Sequence, residues 1–166
     1  MADKSTFTPE EWKLVLESVT MAGVAVSAAE PSGLWGLLKE SFAGGSAVVQ
    51  ARMDPASNPL VKAVVADFET AQGRSAARDG LKQKLAGSKP AEVKAKCIET
   101  LRQAAAVVDA KAPADAAAFK GWLRQISQHV AEAATEGGGL FGGGVLVSEA
   151  EKATLSEIAS ALKLAA

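Results

Sequence analysis

The single histidine of the chain, His129, is followed by two carboxylates at helical spacing. Glu132 and Glu136 stand three and seven residues after it, so the three side chains share one face of a predicted helix. One imidazole and two carboxylates can ligate a divalent metal. The histidine also flanks an apolar stripe, where an imidazole often packs its ring on the core and keeps its edge in water. Both interpretations stay open, and the structural one is the commoner outcome for a lone histidine.

A glycine-rich stretch, residues 137–144, encloses Leu140 and Phe141. Free amides before a helix can cradle a phosphate, but this stretch contains no Lys or Arg and acidic residues follow it. The glycines either let the two apolar side chains plug the core or form a mobile loop that binds a partner or a membrane surface. The candidate binding residues are Gly139, Leu140, Phe141 and Gly142, with Leu34 and Trp35 at matching positions earlier in the chain.

An internal sequence repeat links the two places where a site is expected. Residues 24–36 align with residues 130–142, and seven of the thirteen positions are identical. This alignment predicts a pseudo-repeat of residues 7–45 and 115–163, and it places Glu30 and Glu136 at equivalent points. Two such carboxylates near one axis could share a metal or shift each other's pKa, although a Glu near a helix end is more often solvated.

Few residues in this chain suit catalysis. It has one histidine, one cysteine and no tyrosine, and it contains no Gly-x-Ser-x-Gly motif. Cys97 falls on the apolar stripe of its helix, which predicts a small core residue. Trp12, Trp35 and Trp122 also lie on apolar faces and are predicted core anchors. With so little acid–base machinery, we expect a protein that is not an enzyme.

Composition and periodicity predict an all-α fold. Ala, Leu and Val dominate a 48% hydrophobic content, with helix-favouring polar residues between them. Thr8, Pro9 and Glu11 form an N-terminal helix signal with a capping box. From Ser18 onward this first helix has almost no polar face, which predicts a central helix.

Further helices are expected in residues 34–42 and 46–53, and after the start signals Asn58, Ser88 with Pro90, Pro113, and Ser148 with Glu151. A short charged helix is expected between Gly73 and Gly87. The sequence therefore predicts a single domain, residues 1–166, of six or seven helices. The first helix and the one opened by Pro113 are expected at its centre.

The charge pattern limits the partners that we expect. The net charge is −1, although residues 55–102 carry nine basic and five acidic side chains. Such a segment is usually a solvated helix face, so we expect no nucleic acid partner. Residues 18–29 form the longest charge-free stretch near the start and are too short to span a bilayer. With no apolar signal region and one cysteine, we expect a cytoplasmic protein without a transmembrane segment.

The C-terminal third resembles the tellurite-resistance TerB-like helical family. The resemblance rests on residues 133–137, on the segment Val145–Glu151, and on Leu155, Ile158, Ala159 and Leu162. It implies an all-α fold with an internal pseudo-repeat, a link to bacterial stress resistance, and Glu136 and Glu151 as metal-linked carboxylates. The chain departs from the family pattern in having Glu136-Gly137 in place of Asp-Gly, and six glycines in the loop.

These observations predict a non-catalytic helical binding module of a bacterial cytoplasm. Its partner is expected to be another protein, a small ligand or a second copy of the chain, with no cofactor other than a divalent metal. The alternative is a TerB-like metal-binding stress-response protein. Its metal ligands would be Glu136, Glu151, His129 and Glu30.

Overall fold

The computed structural model describes residues 2–29, 58–137 and 149–164, with the backbone alone at residues 90 and 132–137. In these ranges the chain forms an all-α bundle, which confirms the predicted fold class. A 3₁₀ turn precedes six α-helices. The 3₁₀ turn is Lys4–Thr6. The α-helices are α1 Pro9–Ser27, α2 Pro59–Glu69, α3 Ala71–Leu85, α4 Pro90–Lys111, α5 Pro113–Gly137 and α6 Glu149–Ala161.

The predicted start of α1 is confirmed in its hydrogen bonds. The Glu11 amide donates to Thr8 Oγ1 at 3.2 Å, and the Thr8 amide donates to the Glu11 carboxylate at 2.8 Å. The second bond lowers the pKa of Glu11. Asn58 caps α2 through a single bond of this kind, in which its Oδ1 accepts from the Leu60 amide at 2.9 Å. These starts are local, so the residue pattern alone predicts them.

Two other helix starts differ from the prediction. Gly73 does not precede α3 but lies inside it, because the Thr70 hydroxyl accepts the Gly73 amide at 2.9 Å and caps the helix three residues earlier. The N-cap of α4 is Lys89, whose amide donates to Glu92 at 2.9 Å. Helix α3 ends at Leu85, two residues before Gly87, whose φ is 69°.

Helix α1 is the central helix, as its apolar composition predicts. Every residue from Val15 to Val19 and from Met21 to Ser27 is buried. Its most extensive contacts are with α4, followed by α5 and α3. Helix α4 shares the centre with α1, which the sequence did not predict: it contributes Cys97, Leu101 and other buried residues to the same core.

Several predicted features lie outside the described residues. These are the helices at residues 34–42 and 46–53 and the glycine-rich stretch beyond residue 137. The pseudo-repeat stays a prediction, since large parts of its two copies, residues 7–45 and 115–163, also lie outside the described residues. Within the described ranges, no helix is long and apolar enough to cross a membrane.

Candidate functional site

One predicted site residue, His129, lies on the outward face of α5. The side chains on the inward face of α5 are buried against the neighbouring helices. Phe119, Leu123 and Ile126 are among these buried side chains. Because the helix turns every 3.6 residues, the intervening positions face solvent. They are Ala114, Ala117, Ala118, Arg124, Gln125, Gln128 and His129.

This face changes character at Gly121. Before it the exposed side chains are small and apolar, namely Pro113 and three alanines, and after it they are polar. Gly121 itself is half-buried, and a Cβ built on it would meet no atom within 4 Å. The surface above Gly121 is therefore open, and an incoming group could approach the helix backbone there.

An open groove of about 450 Å³ lies at this point of α5. We call it the α5 groove. The described residues that line it are Gly121, Arg124, Gln125, Gln128 and Leu164. Leu164, which follows α6, contributes an apolar side chain.

The described lining of the α5 groove suits binding rather than catalysis. Arg124 supplies a guanidinium cation, and the two carboxamides neither gain nor lose protons. None of these side chains is a nucleophile or a group that exchanges protons near neutral pH. They can, however, donate and accept hydrogen bonds in fixed directions, which is what recognition of a polar ligand requires.

The structure describes the side chains of two of the four residues predicted to bind metal, and they differ in burial. His129 is exposed on the α5 face, whereas Glu151 is buried, with 3% of its surface exposed, at the third position of α6. A carboxylate there is favoured by the positive end of the helix dipole. Glu136 lies in the last turn of α5, where the backbone alone is described. Among the described side chains, no three metal-ligating groups lie close enough to hold an ion.

The other predicted site residues cannot be placed. Glu30 lies outside the described residues, and so do the residues predicted to form the partner-binding loop. Those residues are Leu34, Trp35, Gly139, Leu140, Phe141 and Gly142. Their roles stay predictions.

A buried ion pair between α1 and α3 was not predicted from the sequence. The Glu17 carboxylate is 3% exposed, and its Oε2 lies 2.6 Å from Lys84 Nζ. Lys13 Nζ is farther away, at 3.9 Å from Oε1. A Cβ at Gly80 would collide with the Glu17 carboxylate, so the glycine makes room for the pair. The sequence feature that corresponds to this ion pair is Gly80, a small residue one helical turn before Lys84.

Cys97 is a fully buried core residue, as predicted. Burial raises the pKa of its thiol to about 12, although the charge of Lys84 acts in the opposite direction. Its Sγ lies 3.3 Å from Met21 Sδ. A thiol that stays protonated at neutral pH is a poor nucleophile and a poor metal ligand, so this sulfur pair is part of the core.

No protein-family model matches the chain, and neither a curated protein nor a solved structure matches it. The resemblance to TerB-like proteins therefore stays a prediction. The geometry of the described residues is the basis for the functional proposal below.

Proposed function

We propose that this protein is a non-catalytic helical module that binds a partner through the outward face of α5. The observation that carries the proposal is the α5 groove, which opens at Gly121 between a small apolar half and a polar half of one helix. The small half lets another chain approach closely, and the polar half supplies directional hydrogen bonds.

The interior of the bundle supports a rigid binding module. Helix α5 is held by buried side chains along its inward face, including Phe119 and Trp122, whose ring centroids lie 5.9 Å apart. Ser127 Oγ donates to the carbonyl of Ala22 at 2.7 Å and fixes α5 against α1. A well-anchored helix loses little conformational entropy when a partner binds to its exposed face.

Site-specific photo-crosslinking tests the proposal. A photoreactive residue at Ala118, on the α5 face, should give a defined adduct in an extract of the source cells. The matched control is Ala106, an exposed alanine on α4, which should give none. Gly121→Trp should suppress the adduct by filling the groove, without unfolding the protein, since the space above Gly121 is open.

Two results would contradict the proposal. One is equal labelling from positions 118 and 106, which would indicate non-specific contact. The other is an adduct from position 118 that persists at full yield in the folded Gly121→Trp variant, which would place the contact elsewhere.

A further inference from the structure

We propose that the α5 groove binds a carboxylate of an extended acidic segment of a partner protein, with Arg124 as its counter-ion. This inference rests on the proposed function, because it names the chemistry of the partner that the α5 face binds. It is carried by the charge of the groove, by the hydrogen-bonding groups beside Arg124, and by the shape of the lining.

Arg124 is an exposed cation near the middle of α5. It makes no ion pair or hydrogen bond in the part of the chain that the structure describes. Some cations of the bundle are paired: Lys120 Nζ lies 2.8 Å from Asp109, and Lys94 Nζ lies 3.0 Å from Glu157. Others, such as Lys62 and Lys82, also have no ion pair among the described residues, but they do not line the groove. The other groove residues are neutral. A carboxylate from another molecule would therefore complement the charge of the groove, and a guanidinium can bind it through two parallel hydrogen bonds.

The neighbouring groups fit the main chain of an extended peptide. Gln125 follows Arg124 directly. Its carboxamide carries both a donor and an acceptor, the same pair of groups that a peptide unit offers. Gly121 has no side chain to keep a peptide backbone away, and Leu164 offers contact to an apolar side chain next to the carboxylate.

A protein segment fits the groove better than a free small molecule. Small-molecule sites enclose most of the ligand surface, whereas this groove is open. A protein segment can continue over the exposed Ala117 and Ala118 and gain contact area there. Interfaces between proteins need such additional area to be stable.

Fluorescence anisotropy with the full chain tests the inference. The probe is a short labelled peptide of alternating glutamate and leucine with blocked ends, and its partners are the same peptide with glutamine or lysine in place of glutamate. The glutamate peptide should bind at least about tenfold more tightly than the glutamine peptide. Arg124→Glu should weaken its binding by a similar factor and should reverse the preference, so that the lysine peptide binds better.

Arg102→Glu is the matched control. Arg102 is an exposed arginine on α4 that pairs with Glu99 and takes no part in the groove. Its replacement changes the net charge by the same amount and should leave peptide binding within about twofold. An equal loss in both variants would mean attraction by net charge alone and would overturn the inference. Thermal melts establish that both variants are folded.

Three further outcomes would overturn the inference. They are no binding of the glutamate peptide, equal binding of the glutamate and glutamine peptides, and displacement of the peptide by free glutarate at a comparable concentration. The last would indicate a small-molecule carboxylate site. The proposed function fails separately, through the crosslinking result at Ala118: an adduct there together with any of these outcomes would keep the α5 face as a binding surface and reject the acidic partner.

Discussion

The contact between α1 and α3 and the outward face of α5 use the same residue types to opposite effect. Gly80 lies against the Glu17 carboxylate, where an added Cβ would collide, while the space above Gly121 is empty. Lys84 neutralises a buried acid, while Arg124 has no counter-ion among the described residues. One region is complete within the chain. The other has an exposed charge with no counter-ion among the described residues and an open space beside it.

This difference indicates where binding is to be sought in the bundle. A buried charge without a partner destabilises the fold, so the Glu17 site must be satisfied internally. An exposed arginine costs the fold almost nothing, because water solvates it. A cation without a counter-ion is therefore tolerated at the surface, where it stays available for a partner.

The largest expected effect is the loss of the internal counter-ion. Lys84→Met leaves the Glu17 carboxylate buried with Lys13 alone, at 3.9 Å. Breaking a buried pair typically costs about 3–5 kcal/mol, and the 34% exposure of the Lys84 side chain reduces the expected loss to about 2–3 kcal/mol. Urea unfolding measures the free energy. Lys13→Met is the control and should cost less than about 1 kcal/mol; equal losses would contradict a special role for Lys84.

Gly73→Ala should give the next largest loss, about 2 kcal/mol. A Cβ there would collide with the backbone carbonyl oxygen of Asp67. That oxygen cannot move easily, because it accepts from the amide of Thr70 at 3.0 Å and from the Thr70 hydroxyl at 2.7 Å. The loss is measured by the same unfolding experiment. A variant as stable as the wild type would show that α2 and α3 are not held this closely.

Cys97 makes the stability of the core depend on pH. The unfolded thiol ionises near pH 9 and the folded one near 12, so the folded state retains a proton that the unfolded state loses. Its contribution to stability is complete below about pH 9 and decreases as the pH rises to 12, by at most about 1.4 kcal/mol per pH unit. The stability difference between wild type and Cys97→Ala should therefore shrink above about pH 9. A difference that is constant with pH would contradict the burial of the thiol.

The smallest effect is expected at Gly121. Ala should fit there without a clash, and its better helix propensity should stabilise the protein by up to about 1 kcal/mol. Gly87→Ala is the contrasting control, because the φ of 69° at Gly87 is unfavourable for alanine. Thermal unfolding of both variants measures the difference. A destabilised Gly121→Ala variant would mean that the surface above Gly121 is not open.

The sequence was a good guide to the local parts of the structure. It predicted the caps of α1 and α2, the burial of Cys97 and the central position of α1. It misplaced the start of α3, because a threonine three residues before Gly73 is a stronger helix signal than a glycine at that position. It did not predict the α5 groove, since neither the exposure of Arg124 nor the position of Leu164 beside it can be read from helical spacing.

What the sequence alone determined is the set of features that depend on neighbours within one or two turns. Capping, amphipathic spacing and the apolar composition of α1 fix where the described helices lie and which of their faces are buried, because the interacting residues are close in the chain. Only the tertiary structure decided that Glu17 pairs with Lys84 while Arg124 faces an open groove. Both residues are charged side chains on helices, and their difference comes from distant segments that cover one and leave the other exposed to water.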